Sequence, residues 1–174
     1  MDLDFQLLQA KIKAAAMDAF ERVRNQYPGQ SFCGYALYSD ADAITVCPAV
    51  NSTDNLNNMI AGDPEDAIYY RWSPGEWDHE FEGAEYFAEI SSLLFNEVKG
   101  MKSVARVRQF KEKVYECCVA ALDSLNEEGF FFDLNESGVL VFTVSDATNA
   151  LECDWIARLN RNELALEFQN WISS

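Results

Sequence analysis

Between Leu3 and Gln26 apolar side chains return every three or four residues, at Phe5, Leu8, Ile12, Ala16, Ala19, Phe20 and Val23. That period puts them on one side of a helix and predicts an amphipathic helix over residues 3–26. Tyr27-Pro28-Gly29 stops it. The pattern then shortens. Phe32-Cys33-Gly34-Tyr35-Ala36-Leu37-Tyr38 reads as an aromatic-rich strand, and Ser39-Asp40-Ala41-Asp42 supplies turn residues. Ile44 to Val50 reads as its antiparallel partner, with Pro48 expected at an edge or a strand end because proline has no N–H to give a ladder.

Ser52, Thr53 and Asp54 are suited to cap a short helix over residues 55–61, which Gly62-Asp63-Pro64 ends. Ala67 to Trp72 reads as a third strand, broken at Ser73-Pro74-Gly75. Helical spacing resumes over residues 84–99 and again over 104–125. A loop is expected from Asn126 to Gly138, with Phe130-Phe131-Phe132 covering something apolar. The unbroken run Val139-Leu140-Val141-Phe142-Thr143-Val144 predicts a central strand buried on both faces. After a turn at 146–149, residues 154–159 read as a short helix or an extended piece, and 162–172 as a closing helix. Irregular alternation of this kind predicts one α+β domain spanning residues 1–174: a mainly antiparallel sheet of about four strands with helices packed on it.

Composition narrows the partners. The length of 174 residues fits one domain, and an apolar share of 49% is enough for a core. The net charge of −16 repels phosphate, so neither nucleic acid nor an anionic membrane surface is expected as a partner. A basic protein is favoured, because long-range attraction raises its encounter rate; an acidic surface that serves solubility alone, with the acidic stretch a solvated face, is the other reading. Five cysteines, an odd count without C-x-x-C spacing, lie mostly among apolar residues and point to a reducing compartment. Met1-Asp2-Leu3-Asp4 lacks the positive start of a signal peptide, and no apolar run reaches the roughly 18 residues of a membrane span. A cytoplasmic location follows as the expectation.

The richest stretch for function runs from Tyr69 to Glu89. It holds two of the four tryptophans, the only histidine and six carboxylates, and from Glu76 to Glu89 it contains no Lys or Arg. Glu82, Glu85 and Glu89 fall at helical steps and are expected to share one stripe, with Trp77, Phe81 and Tyr86 interleaved. Acids beside aromatics are what a protein-binding patch offers a basic partner. The candidate partner-binding residues are therefore Trp72, Glu76, Trp77, Asp78, Glu80, Glu82, Glu85 and Glu89. The opposite charge gathers at Lys102, Arg106, Arg108, Lys111 and Lys113. That face has two open pairings, with the acidic stretch of the same chain or of a second copy, the latter making a homodimer.

Catalytic signatures are weaker. His79 beside Asp78 and Glu80 reads as a solvated residue, and no G-x-S-x-G elbow accompanies it. Cys117 and Cys118 are adjacent on a helix and diverge, so no zinc site is expected. Asp40/Asp42 and Glu76/Asp78/Glu80 are the carboxylate groups a hard cation would use, but no calcium-loop spacing accompanies them. No Walker-type or Rossmann glycine loop is present. Arg71 reads as a structural ion-pair residue. No catalytic residue, metal or cofactor is assigned. An enzyme built on converging carboxylates, with or without a metal, and a regulatory interaction module remain the alternatives.

Phe32-x-Gly-Tyr-Ala-Leu-Tyr-Ser-Asp, Pro48-Ala-Val-Asn-Ser-Thr, Tyr70-Arg-Trp-Ser-Pro-Gly-Glu-Trp and a late strand followed by Leu159-Asn160 together resemble a bacterial family known as domain of unknown function 4303. The likeness runs in order over most of the chain, and Tyr70–Trp77 is its most specific piece. Ser39 stands where a threonine is common and His79 where an aromatic is frequent. The resemblance implies a small single-domain bacterial protein, of a kind often encoded beside polymorphic or contact-dependent toxins and immunity-like in character. It implies no catalytic residues. Immunity proteins against nucleases are frequently acidic because the toxin cleft is basic, which agrees with the charge reading. The sequence thus leads to an immunity-type protein that neutralises a toxin, a nuclease being one class that fits, and not to an enzyme.

Overall fold

The structure, a computed structural model, describes residues 3–174 and their side chains except that of Glu136. Met1 and Asp2, on which the expectation of no signal peptide rests in part, lie outside the described residues. Helix α1 covers Phe5–Gln26. Asp4 starts it, its Oδ1 accepting from the N–H groups of Gln6 and Leu7 at 3.0 and 3.1 Å. The stripe Leu8, Ile12, Ala16, Phe20 and Val23 is buried, as its spacing dictates. Strands β1 (Phe32–Ser39) and β2 (Val46–Ser52) form an antiparallel pair. Between them Asp40 closes the turn, accepting from the N–H of Asp42 at 2.8 Å and from the Thr45 hydroxyl.

Helix α2 (Thr53–Gly62) begins where Ser52 Oγ accepts from Asn55 N–H at 3.1 Å. Helix α3 (Ala67–Trp72) then stands where a strand is expected. A 3-10 turn over Pro64–Asp66 leads straight into it, and Arg71 and Trp72 anchor it to the last helix. Strand β3 is only His79–Glu80. A 3-10 turn over Ala84–Phe87 precedes α4 (Ala88–Lys99), and α5 covers Val104–Glu127. Strand β4 runs over Leu134–Val144, starting inside the expected loop. Helices α6 (Asn149–Leu159) and α7 (Asn162–Ile172) close the chain, the first capped by the Thr148 hydroxyl.

The sheet order is β3-β2-β1-β4, with β1–β2 and β2–β3 antiparallel and β1–β4 parallel. The sheet is therefore mixed, within the expected α+β class and strand number. Pro48 sits mid-strand opposite Leu37; on the β3 side its carbonyl accepts from Phe81 N–H at 3.1 Å, and its missing N–H costs no ladder bond because Phe81 O is taken by Ala84 N–H at 3.0 Å. The expectation that β4 is central is corrected: β4 is buried on both faces but lies at the edge. Its outer backbone finds a partner in Asn160, whose Oδ1 accepts from Leu140 N–H at 2.9 Å and whose Nδ2 donates to Leu140 O at 2.7 Å. One amide side chain thus satisfies both backbone groups of one residue on that edge.

Helices cover both faces of the sheet. Tyr35, Leu37, Val50, Leu140 and Phe142 pack beneath α1 and α5, in one core with Ile12, Phe20, Val114, Cys118 and Leu122. Phe131, from the triple-phenylalanine run, joins this core, while Phe132 stays 83% exposed. On the opposite face Ala36, Ala49, Val139 and Val141 lie under Trp72, Trp77, Ile156 and Phe168. The strands carry small residues there, and the two tryptophans fill the space those leave.

Candidate functional site

The segment from Tyr69 to Glu89 is pinned at both ends by its aromatics. Trp72 is buried, and its Nε1 donates to Glu167 Oε1 at 3.0 Å; Arg71 Nη1 reaches both oxygens of the same carboxylate at 2.9 Å. Trp77 is also buried, its Nε1 donating to Tyr70 O at 3.2 Å. Both tryptophans belong to the core, so neither presents its ring to a partner. This corrects the expectation that they line a contact surface. Arg71 has the structural pairing expected of it.

The acids divide by partner. Glu76 accepts from the Tyr69 hydroxyl at 2.9 Å, a bond that raises the pKa of that phenol. Asp78 accepts from Ser52 N–H at 2.9 Å and from Ser52 Oγ at 2.6 Å, fixing the start of α2. Glu80 accepts from the Tyr38 hydroxyl at 3.2 Å. Glu82 takes the Tyr27 hydroxyl at 2.8 Å and faces His79 Nδ1 at 3.1 Å, while its Oε2 is buried without a hydrogen-bond partner. The bond donated to Glu82 holds the Tyr27 phenol above its ordinary pKa. Glu85 pairs with Arg22, and Glu89 is exposed in the first turn of α4, where a negative charge suits the helix dipole.

The expected single stripe of Glu82, Glu85 and Glu89 does not form. Glu82 precedes the helix, Glu85 lies in the 3-10 turn and only Glu89 is on α4 itself. Gly83 explains the break. Its φ of +85° and its contact with α1 leave no room for a side chain, since a Cβ would meet Ala19 Cβ at 2.6 Å. The chain turns there, and Glu82 is drawn inward while Glu85 and Glu89 stay outside.

His79, expected in solvent, is buried. It is 5% exposed, with Nε2 at 2.8 Å from Gln30 Oε1 and the Tyr27 ring at 4.3 Å. With Glu82 ionised, Nδ1–H donates to it; the Gln30 amide then accepts from an imidazolium or, turned over, donates to the neutral ring. The group is a buried polar clamp between β3 and the end of α1. The residues that close it, Tyr27 and Gln30, are about 50 positions away in sequence, so adjacency to Asp78 and Glu80 alone does not reveal it.

What remains outward is Glu80, Phe81, Glu85, Tyr86 and Glu89, with Phe81 58% and Tyr86 42% exposed. Among the described residues no group of three or more His, Cys, Asp and Glu side chains is placed to hold a metal ion. Of the carboxylates named for metal or acid–base work, Glu80 and Asp40 border one hollow and Glu76 and Asp78 lie away from it. On the basic face Lys111 pairs with Asp146, Arg108 with Glu112, and Lys113 stands over the Phe5 ring, so these three cations are not matched to the acidic stretch.

The family described as Domain of unknown function (DUF4303) matches residues 12–161. The chain belongs to this family. It has no significant match among curated proteins and none among solved structures. The DUF4303 match takes in the sheet, both tryptophans and Asn160, so the quoted motifs fall inside it. Phe32–Asp40 and Pro48–Thr53 are the paired strands, Tyr70–Trp77 fills the second core, and Leu159-Asn160 closes the sheet edge. These are fold-determining positions, and the family description assigns them no activity. Among the described residues no helix is long and apolar enough to cross a membrane, and all five cysteines are free.

Proposed function

We propose that this DUF4303 chain is a cytosolic immunity-type protein that binds and neutralises a basic toxin domain, with a nuclease the best fit. The observation that carries the reading is the outward array of Glu80, Phe81, Glu85, Tyr86 and Glu89, set in a segment without Lys or Arg from Glu76 to Glu89. The net charge of −16 surrounds it with an attractive field for a cationic cleft. Exposed aromatics flanked by carboxylates supply the contact area that charge alone lacks. Trp72 and Trp77 act as the scaffold under the patch, and Asp78 and Glu82 as its internal fastenings. Free thiols throughout agree with a reducing compartment.

The test is coexpression with the product of any toxin-like gene found adjacent to this one. Growth should be rescued, and the purified proteins should associate faster at low salt than at high salt. A toxin that kills regardless of this protein, together with no measurable complex, refutes the reading.

A further inference from the structure

The sheet face that carries Ala36, Ala49 and Val141 is roofed by Trp72, Trp77 and Phe168. The roof ends at Pro74 and Gly75, and past them lies a hollow of about 450 Å³. It is lined by the half-buried Tyr38, Cys47, Thr143 and Asp40 and by the exposed Glu80 and Phe81. No Lys or Arg lines it.

Phe81 is the odd member. Its φ is +70°, a conformation uncommon for a bulky residue. Its N–H donates to Pro48 O at 3.1 Å and its O accepts from Ala84 N–H at 3.0 Å, which hold it there. The ring gains little burial in return, since it is 58% exposed, edge-on to Tyr38 with centroids 6.2 Å apart. The backbone bonds account for the conformation, and they leave the ring free for an outside contact.

The other groups say what that contact is. Burial pushes the Tyr38 phenol and the Cys47 thiol up, so both are neutral near pH 7 and the thiol is no nucleophile. Burial also acts to raise Asp40, but the Thr45 hydroxyl and the N–H groups of Asp42 and Ile44 outweigh it and hold the carboxyl below its ordinary value. Glu80 sits at the mouth with the Tyr38 hydroxyl on its Oε1. An apolar, aromatic wall with carboxylates at the rim complements a cation carried on an apolar stem.

We propose that this hollow receives a lysine or arginine side chain of the basic protein partner, its stem along Phe81 and Tyr38 and its cation against Glu80. Asp40 adds field. The assignment rests on the reading of the chain as a receptor for a basic protein, and it names where one side chain of that protein enters.

The test titrates Nα-acetyl-arginine amide into the full chain, followed by two-dimensional NMR, with Nα-acetyl-citrulline amide as the uncharged control. Saturable shifts are expected at Tyr38, Phe81 and Thr143 with the arginine probe only. Glu80→Gln, which keeps an acceptor for Tyr38, should weaken them about tenfold, equal to about 1.4 kcal/mol. Phe81→Gly, which suits the positive φ, should do the same in a folded protein. Equal shifts with citrulline, no saturable shift, or no effect of Glu80→Gln overturns the pocket. If the arginine probe does not bind there while a basic toxin domain still binds in a salt-dependent way, the pocket falls and the function stands. If the probe binds and no basic protein does, the function falls and the hollow remains a site for organic cations.

Discussion

The far edge of the Trp77 indole occupies the place where Gly34 would carry a side chain. A Cβ added at Gly34 would meet Trp77 Cη2 at 2.9 Å and Cζ2 at 3.1 Å. The ring cannot simply swing aside, because its Nε1 is tied to Tyr70 O. Gly34→Ala is therefore expected to overpack the second core and cost about 1–3 kcal/mol. In a chain of this size that lowers Tm by about 2–4 °C per kcal/mol, readable by thermal denaturation. An unchanged Tm would mean the indole is looser than its contacts indicate.

Glu167 joins α3 to α7 by taking both the Arg71 guanidinium and the Trp72 N–H on one carboxylate. Removing it leaves a buried indole N–H without an acceptor. Glu167→Ala should cost about 1–3 kcal/mol, since an unmade buried hydrogen bond carries its full desolvation penalty. Glu167→Gln keeps an acceptor for Trp72 and should recover roughly half of that loss in urea unfolding. Equal losses for both variants would assign the effect to the charge pair alone.

These two contacts also explain how much of the molecule is legible in its sequence. The 3.6-residue period of α1, α4 and α5 and the apolar run of β4 report burial directly, so those elements follow from the pattern. Ala67–Trp72 misleads because Ile68, Tyr69, Tyr70 and Trp72 favour strands locally. The helix is decided by Glu167, nearly 100 residues later, and by the 3-10 turn that feeds it. The site is legible in its charge and not in its shape. Nothing local distinguishes Glu82, drawn onto His79 and Tyr27, from Glu85 and Glu89, which stay in solvent. Gly83 is the one local clue to where they part, and its meaning depends on Ala19. The hollow beside Tyr38 and Cys47 is invisible in sequence, because it is defined by where the covering layer stops.

Charge reversal should separate the inward from the outward acids. Glu89→Lys changes an exposed position and gives up only the helix-dipole interaction at the start of α4, so Tm should fall by no more than about 2–4 °C while the on-rate for the basic partner falls several-fold at low salt. Glu82→Lys would instead place a cation against the buried His79 and remove the acceptor of Tyr27. Leaving a buried donor without its acceptor costs about 1–3 kcal/mol and the buried cation adds to it, so this variant should unfold several degrees earlier. Stopped-flow association beside thermal melts tells the two apart. A stable Glu82→Lys protein would contradict the clamp, and an unchanged on-rate for Glu89→Lys would move the steering surface elsewhere.

Glu152 gives a pH dependence whose sign follows from its surroundings. Burial pushes its carboxyl above the ordinary 4.5, and the Thr143 hydroxyl donated at 2.7 Å only partly opposes this. The folded state therefore favours the protonated acid. Ionising Glu152 weakens the fold: the penalty is absent below 4.5, grows as pH rises through the raised folded value, and is complete above it. Glu152→Gln offers Thr143 an amide oxygen in the same place and carries no charge. It should raise Tm at pH 7 by about 1–3 °C, and the gain should shrink toward nothing as the pH is lowered through the ordinary carboxylate range. Melts of both proteins across that range decide the matter. A gain that persists unchanged in acid would trace to packing, and desolvation of the carboxylate would lose its role.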